Sequence, residues 1–239
     1  MLELLCGAGA IAAAVADAGH GAFGLDRRRS PLEDRVAPAF RSTVLGWIKS
    51  RAAVAVWLSA PCTGWICAWR HPLRSDRFIF GLPALAGTEQ ARAGAGIATV
   101  TIQRLLVCIA ARVLVFLKDP RTSQLWLCPE FQRLFQSWAC RHIVLRQYQH
   151  NASYNKATTI VPWHACSTLA LRHRCTGKRG LYSRTDTRYE SLDSSDDQGQ
   201  KKTAVASAYQ LPLAQAAAQC IVETHPIQPV RARHLLAMC

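Results

Sequence analysis

The first residues with types and spacing suited to chemistry are Glu3, Gly7, Gly9 and Asp26. Glu3 lies in a short apolar run, the two glycines interrupt that run, and Asp26 follows the next apolar run after an Ala-rich segment. Glycines let the backbone approach a ligand closely, and a helix that begins after them offers free N–H groups. An acid at the tip of the second strand accepts hydrogen bonds from ribose hydroxyls. The pattern therefore predicts a nucleotide-type site.

A second candidate is the loop Ser59–Trp65, reading SAPCTGW, which contains Pro61 and Cys62. It follows the continuous apolar run 53–58, which is typical of a strand buried on both faces of a parallel sheet. Doubly wound sheets have their chemistry at the carboxyl ends of such strands. The alternative for Cys62 is a buried structural thiol, because free cysteines are often buried.

The elements that must position these residues alternate along the chain. This alternation predicts an α/β fold with a mostly parallel sheet flanked by helices. Predicted helices begin at Ser30-Pro31 and cover 97–111, 129–137 and 211–222, and a loop is expected over 70–94. Further strands are expected at 113–117, 142–147 and 158–161. One domain over 1–222 is predicted, with a disordered loop at about 185–203 and a tail over 223–239.

Composition limits the class of protein and its partners. The 239 residues include 29 Lys+Arg and 15 Asp+Glu, a net charge of +14 that favours a polyanionic partner such as nucleic acid. An unselected basic surface is the alternative. Ten cysteines without a signal peptide indicate an intracellular protein rather than a secreted disulfide scaffold. The apolar run 105–117 is too short to span a bilayer, so no membrane is expected, and cysteine and histidine spacing predicts no metal site.

Four stretches in order resemble the motifs of C5-cytosine DNA methyltransferases, in a shortened and divergent form. They are LELLCGAGAIAAAVADAGHGAFGLD, SAPCTGW, FLKDPRTSQLW and ASAYQLPLA, the last beginning at Ala206. The resemblance covers about residues 1 to 222 in the family's order, which is more specific than any one motif. It implies a Rossmann-like methyltransferase fold and S-adenosyl-L-methionine as cofactor.

The resemblance also implies roles for individual residues. Cys62 would add to C6 of a flipped cytosine and make C5 nucleophilic, and Asp119 would serve as the acid that holds N3. The last motif would pack beside the first and complete the cofactor pocket. The residues implied to bind the cofactor are Glu3, Leu4, Cys6, Gly7, Gly9, Asp26, Pro61 and Ser207.

The sequence departs from the family at several positions. Lys118 stands where the family has a glutamate, so Asp119 must substitute or the step is lost. Arg41 lies near the place of the acid that contacts adenine. The segment before the last motif is too short and polar for a full target-recognition domain, so direct base readout is not expected.

Nucleic acid, with DNA favoured over RNA, is the partner that the resemblance and the charge imply. Basic residues near aromatic ones suit phosphate contact and base stacking, with a solvated charged loop as the alternative. The residues predicted to bind nucleic acid are Arg70, Arg74, Arg77 and Lys156. A nuclear location follows if the source is eukaryotic, and the sequence predicts no oligomeric state.

Two other functions stay open. Lys118, Arg41 and the basic charge are compatible with a catalytically inactive nucleic-acid-binding module of the same fold. A nucleotide-dependent oxidoreductase ranks last, because the third glycine of a dinucleotide fingerprint is missing and Pro61-Cys62 would have no role.

Overall fold

A computed structural model of the chain describes residues 1–26, 30, 37–62, 65, 73–137, 141–172, 188, 190 and 209–224. The described residues form a six-stranded sheet with helices packed on it, which confirms the predicted α/β class. The strands are β1 (Leu2–Leu4), β2 (Phe23–Leu25), β3 (Ala55–Ser59), β4 (Leu114–Pro120), β5 (Ile143–Arg146) and β6 (Ala157–Trp163). The helices are α1 (Ala10–Asp17), α2 (Pro38–Lys49), α3 (Glu89–Ala110), α4 (Pro129–Ser137) and α5 (Leu211–Thr224).

The strand order is β2-β1-β3-β4-β6-β5, and the sheet is mixed. Strands β2, β1, β3 and β4 are parallel, as the sequence predicted, whereas β6 runs antiparallel to both of its neighbours. The order of the strands reverses between β1 and β3. In open α/β sheets the carboxyl ends of the strands at such a reversal form the ligand crevice.

Helices cover both faces of the central strands. Side chains alternate between the two faces of a strand, so Trp57 and Phe116 contact the layer of α1 and α5, whereas Leu58 and Leu117 contact the opposite core. Every residue of β4 is buried, as expected for a strand covered on both faces. These two cores fix β1, β3 and β4, and the strands in turn position the residues at their carboxyl ends.

Helix α3 and strand β4 differ most from their predicted bounds. Helix α3 begins at Glu89 rather than near 97, because the Thr88 side chain accepts a hydrogen bond from the Ala91 N–H at 3.3 Å and caps the helix. Part of the predicted loop 70–94 is therefore helical. Helix α2 covers Pro38–Lys49, and the helix start predicted at Pro31 lies outside the described residues.

Strand β4 extends to Pro120, beyond the predicted end at Leu117. The extension exists because β6 pairs with it, with Lys118 opposite Ile160 and Asp119 opposite Thr159. Lys118 and Asp119 thus lie inside a strand rather than in a loop. Their side chains therefore point to opposite faces of the sheet.

Helix α3 is, among the described residues, long and apolar enough to cross a membrane by length and composition. It has 22 residues and a mean hydropathy of 1.6 in its most apolar part. In this structure Ala98, Leu105 and Cys108 of α3 pack into the core beside the sheet. Core packing accounts for part of its apolar composition, since 44% of its most apolar part is buried.

Candidate functional site

The candidate site lies at the carboxyl edge of β1, β3 and β4. The glycine turn follows β1, Pro61 and Cys62 follow β3, and Lys118 and Asp119 lie in the last residues of β4. Lys156 precedes β6, and because β6 is antiparallel its beginning lies beside the end of β4. The Arg121 N–H donates to the Ala157 carbonyl at 3.0 Å and fixes this arrangement.

The glycine turn has the left-handed backbone that glycine permits. Gly7 has φ of 56° and Gly9, which precedes α1, has φ of 72°. The Gly7 N–H donates to the Asp26 carboxylate at 3.1 Å. A Cβ added at Gly7 would meet no atom within 4 Å, so the space beside this backbone is open. The turn is therefore compatible with a ligand that approaches the backbone closely.

Glu3 is fully buried in β1, and its carboxylate also stabilises the glycine turn. Its Oε2 accepts a hydrogen bond from the Ala12 N–H at 2.7 Å, in the first turn of α1. A carboxylate at a helix N-terminus is favoured by the helix dipole. Glu3 and Asp26 thus both fix the glycine turn by accepting backbone N–H groups.

The other residues predicted to bind the cofactor have different surroundings. The Leu4 side chain is buried in the core beneath the sheet, and the Cys6 thiol is buried and donates to the Gly7 carbonyl at 3.8 Å. Leu4 can therefore meet a ligand only through its backbone. Pro61 is half-buried, and Ser207 lies outside the described residues.

The segment that begins at Tyr209 and continues into α5 contacts β3, β4 and α1. Tyr209 precedes α5, and its hydroxyl lies 2.6 Å from Ser59 Oγ and accepts a hydrogen bond from Trp57 Nε1 at 3.1 Å. Lys118 Nζ lies 4.8 Å from the centre of the Tyr209 ring. Helix α5 packs on α1 through Leu213 and Ala214. From Tyr209 onward the last motif does lie beside the first.

Cys62 and Asp119 interact electrostatically with each other and with two lysines. Burial raises the pKa of the Cys62 thiol, and Asp119 raises it further, whereas Lys156 and Lys118 lower it. Burial also raises the pKa of Asp119 to about 7, against smaller opposing effects of Ser123, Lys118 and Lys156. Within the described residues no hydrogen bond of good geometry reaches either oxygen of the Asp119 carboxylate. A carboxyl group of this kind can donate or accept a proton near neutral pH.

The two lysines of this cluster differ. Burial alone would lower the pKa of Lys118, but Tyr209, Asp119 and Cys62 together raise it above the ordinary value. Burial and the charge of Lys118 lower the pKa of Lys156 to about 8. Lys118 is therefore a permanent cation, whereas Lys156 can exchange a proton close to neutrality.

Trp65, which follows Cys62 among the described residues, is fixed by backbone hydrogen bonds and by one stacked arginine. The Trp65 N–H donates to the Cys62 carbonyl at 2.8 Å, and the Trp65 carbonyl accepts from the Gln124 N–H at 2.7 Å. The Arg74 guanidinium lies 4.1 Å from the centre of the buried Trp65 ring and donates to the Ala91 carbonyl at 2.8 Å. Arg74 thus joins the Cys62 turn to α3.

Arg74, which is predicted to contact nucleic acid, is buried in this structure. Only 1% of its surface is exposed, because its guanidinium is stacked and hydrogen-bonded inside the protein. Arg77 is exposed, and its guanidinium lies 5.4 Å from the centre of the Phe78 ring. Arg70 lies outside the described residues. Lys156 is half-buried in the Cys62 cluster rather than on an open surface.

Exposed arginines that the sequence analysis did not select lie at the same edge of the sheet. Arg121 follows β4, and Arg146 ends β5, which points in the same direction as β4. Arg146 Nη1 donates to Asn155 Oδ1 at 2.9 Å. The signal that could have found them is their place near the ends of predicted strands: Arg146 lies within 142–147, and Arg121 lies four residues after 113–117. Tyr209 and Ser59 were also missed as partners, because their contact depends on the packing of α5 on α1.

Two further predictions concern metal and the residue near the expected adenine contact. No group of three or more His, Cys, Asp or Glu residues that could bind a metal ion occurs in the described part of the chain. Arg41 Nη2 donates to Gln103 Oε1 at 2.6 Å and joins α2 to α3. Arg41 thus has a partner within the helical layer.

Comparisons with known proteins assign no family to this chain: no protein-family model matches it, and no curated protein matches it. The function must therefore be argued from the site itself.

Proposed function

We propose that this chain is a methyltransferase-like domain that uses S-adenosyl-L-methionine to act on C5 of cytosine in nucleic acid. The observation that carries the proposal is the electrostatic cluster of Cys62 with Asp119 at the carboxyl edge of β3 and β4. A nucleophilic thiol and a carboxyl group that can be protonated near neutrality are the two groups that this chemistry needs. The glycine turn at the end of the adjacent strand β1 supports a cofactor at the same edge.

The topology supports a Rossmann-like methyltransferase fold. The crevice between β1 and β3 is the ligand position expected from the strand order. The resemblance implies a mostly parallel sheet flanked by helices, and strands β2, β1, β3 and β4 are parallel.

The residues of the glycine turn fit the methyl donor. The open space beside Gly7 would accept an adenosyl group, and Asp26 would accept hydrogen bonds from ribose hydroxyls. Glu3 adds a second negative charge at the same turn. When bound, the methyl donor would supply an electrophilic methyl group for C5.

Cys62 and Asp119 would make C5 nucleophilic. A bond from Cys62 Sγ to C6 moves the C5=C6 electron pair toward C4 and N3, and a proton from Asp119 is accepted at N3. Asp119 suits this role because its pKa is raised to about 7, so that much of it is protonated at neutral pH. The resulting carboxylate would be stabilised by the neighbouring Lys118 and Lys156. The C5 electron pair would then take the methyl group, and a solvent water would accept the C5 proton. Departure of Cys62 as the thiolate, with return of the N3 proton to the Asp119 carboxylate, would restore the aromatic ring.

Charge supports a nucleic-acid substrate. The net charge is +14, and Arg121 and Arg146 are exposed at the edge that carries Cys62. Arginines at this position would contact backbone phosphates. The cytosine would be flipped out of a duplex, or would belong to a single strand, to reach the buried thiol.

The experiment that tests the proposal traps the Cys62 adduct. Oligonucleotides that contain 5-fluorocytosine cannot complete the reaction, because C5 carries fluorine instead of a removable proton. Wild-type protein with the methyl donor is expected to form a covalent complex that survives denaturing electrophoresis, and Cys62→Ala is expected to form none. Single-stranded DNA, duplex DNA and RNA are tested in parallel to identify the substrate.

A matched control for this experiment is Cys166→Ala, because Cys166 is an exposed thiol far along the chain. It is expected to form the adduct as the wild type does. An adduct that persists in Cys62→Ala would contradict the assignment of the nucleophile.

A catalytically inactive nucleic-acid-binding module is the second candidate. It is favoured by Lys118, which stands at the family's glutamate, and by the raised pKa of the Cys62 thiol. Calorimetry separates the two functions: no binding of the methyl donor at millimolar concentration, together with binding of an oligonucleotide, would favour the inactive module.

A further inference from the structure

The carboxyl edge of β3 and β4 carries a second polar cluster, on the face of the sheet that packs against α1 and α5. Its members are Ser59, Lys118 and Tyr209. Ser59 and Lys118 are paired residues of neighbouring parallel strands, so their side chains lie on the same face. Trp57, two residues before Ser59, belongs to the same layer. The proposed chemistry at Cys62 gives the two hydroxyl groups of this cluster no role.

The hydroxyl groups of Ser59 and Tyr209 have one proton more than the structure uses. Their oxygens lie 2.6 Å apart, so one hydroxyl donates to the other. Trp57 Nε1 donates to both oxygens, at 3.0 Å and 3.1 Å, and so occupies acceptor positions only. Within the described residues these hydroxyls make no other hydrogen bond, which leaves one O–H group without an acceptor. Both residues are partly exposed, so a ligand can approach this group.

Lys118 brings a positive charge to the same place. Its Nζ lies 4.8 Å from the centre of the Tyr209 ring, and only 7% of the residue is exposed. Asp119, the next residue of β4, points to the opposite face of the sheet. In the part of the chain that the structure describes, no carboxylate forms an ion pair with the Lys118 ammonium group. A buried charge without a counter-ion is unfavourable, so an anionic ligand would stabilise this arrangement.

We propose that Lys118, together with the hydroxyl pair of Ser59 and Tyr209, binds the carboxylate of the methyl donor. This inference rests on the proposed function and deepens it, because it assigns the end of the cofactor that the glycine turn does not bind. One carboxylate oxygen would accept from the remaining O–H group, and the ammonium group would pair with the negative charge. Lys118 stands where the family has a glutamate, so the resemblance does not supply this contact.

The position of the cluster fits a ligand that begins at the glycine turn. Strand β3 pairs with β1, with Leu58 opposite Leu4, so Ser59 lies beside the start of that turn. Two strand spacings, about 10 Å, separate β1 from β4. The amino-acid arm of the methyl donor would therefore cross the end of β3 to reach Lys118. A backbone phosphate of nucleic acid fits less well, because a polymer has poor access to a lysine that is 7% exposed.

The experiment compares binding of S-adenosyl-L-methionine with binding of its decarboxylated analogue, by calorimetry at neutral pH. The wild type is expected to bind the analogue about 10- to 100-fold more weakly, because a charge-assisted contact is lost. Lys118→Met is expected to bind the two ligands with affinities within about threefold of each other. Tyr209→Phe keeps the ring beside Lys118 but removes a hydroxyl proton, so it should reduce the difference between the ligands without abolishing it.

The matched control is Lys49→Met, which removes one positive charge at an exposed position at the end of α2. It is expected to discriminate between the two ligands as the wild type does, which separates a local contact from the effect of net charge. Circular dichroism of each variant separates loss of fold from loss of binding. If Lys118→Met does not fold, Tyr209→Phe decides, since unchanged discrimination in that variant would overturn the proposal.

The other outcomes separate this inference from methyl transfer. If the wild type binds both ligands equally well, or if Lys118→Met discriminates as the wild type does, the carboxylate site is wrong and the proposed function stands. If discrimination depends on Lys118 but no adduct forms with 5-fluorocytosine, the carboxylate site stands and cytosine methylation fails. If the wild type binds neither ligand at millimolar concentration, both the cofactor and the carboxylate site are wrong.

Discussion

The candidate site has two halves, which are the glycine turn at 7–9 and the cluster around Cys62. They hold their charged groups in different ways. Around the glycine turn, both acids are bound by the backbone: Glu3 accepts from the Ala12 N–H and Asp26 from the Gly7 N–H. Around Cys62, the carboxyl group of Asp119 is buried among other ionisable side chains and has a raised pKa. In the first half the carboxylates stabilise a turn, as many structural acids do. In the second half, burial of Asp119 lowers the stability of the fold.

This difference identifies the half that carries the functional evidence. A carboxylate that accepts a backbone N–H stabilises a turn with or without a ligand. A buried carboxyl group without such a bond destabilises the fold at neutral pH, and groups of this kind concentrate at functional sites. The Cys62 cluster is therefore stronger evidence for chemistry than the glycine turn.

The largest expected effect is that of Asp119→Asn on adduct formation. The rate with 5-fluorocytosine should fall by about 10²–10⁴-fold, because the proton donor to N3 is lost. The measurement is the rate of covalent complex formation at neutral pH. Asp17→Asn, at an exposed position of α1, is the matched control and should leave the rate unchanged.

The same Asp119→Asn variant should change how stability depends on pH. Because the folded pKa of about 7 lies above the ordinary value of 3.8, ionisation of Asp119 destabilises the fold as pH rises from about 4, and the loss is complete above about 7. The variant removes this loss, so its free energy of unfolding relative to wild type should rise across that range by at most about 4 kcal/mol. Chemical denaturation at pH 5 and pH 8 measures it. An equal difference at both pH values would show that Asp119 ionises normally.

A smaller effect is expected from Arg74→Lys. Lysine cannot stack a planar group on Trp65 while it donates to the Ala91 carbonyl, so the free energy of unfolding should fall by about 1–3 kcal/mol. Adduct formation should slow as well, because the turn after Cys62 loses its connection to α3. The control is Arg77→Lys at an exposed position, where a change within about 0.5 kcal/mol is expected. Equal stability of the two variants would show that the stacking on Trp65 contributes nothing.

The smallest effect is expected from Glu3→Gln, since glutamine still offers an oxygen to the Ala12 N–H. Stability should fall by a few tenths of a kcal/mol, against about 0.5–2 kcal/mol for Glu3→Ala, which removes the acceptor. Thermal unfolding measures both. If Glu3→Gln abolished binding of the methyl donor while stability stayed constant, Glu3 would act on the ligand. The glycine turn would then no longer be the half whose acids only stabilise the fold.

Local pattern was enough to predict most elements of the fold. The apolar runs at β3 and β4, the helix Pro129–Ser137 and the glycine turn could be identified because periodicity and glycine are local signals. The direction of β6 could not, because strand direction depends on pairing with distant residues. The burial of Arg74 also depended on a distant contact, with Trp65 and α3.

The site was predicted in part for the same reason. Cys62 and Asp119 follow or end apolar runs, which is visible in the sequence. The position of Lys156 beside them requires the reversal of β6, and the position of Tyr209 against Ser59 requires α5 to pack on α1. Neither the reversal of β6 nor the packing of α5 on α1 can be predicted from a short stretch of sequence.

The reversal of β6 has one further consequence for the architecture. Strand β5 ends at the carboxyl edge and β6 begins there, so the ten-residue connection 147–156 starts and finishes at the edge that carries the candidate site. Had β6 been parallel, its first residue would lie at the opposite edge, about 20 Å away for a strand of this length. Because the Gln147 N–H donates to the Lys156 carbonyl at 3.0 Å, the two ends of this connection are held together beside the end of β4.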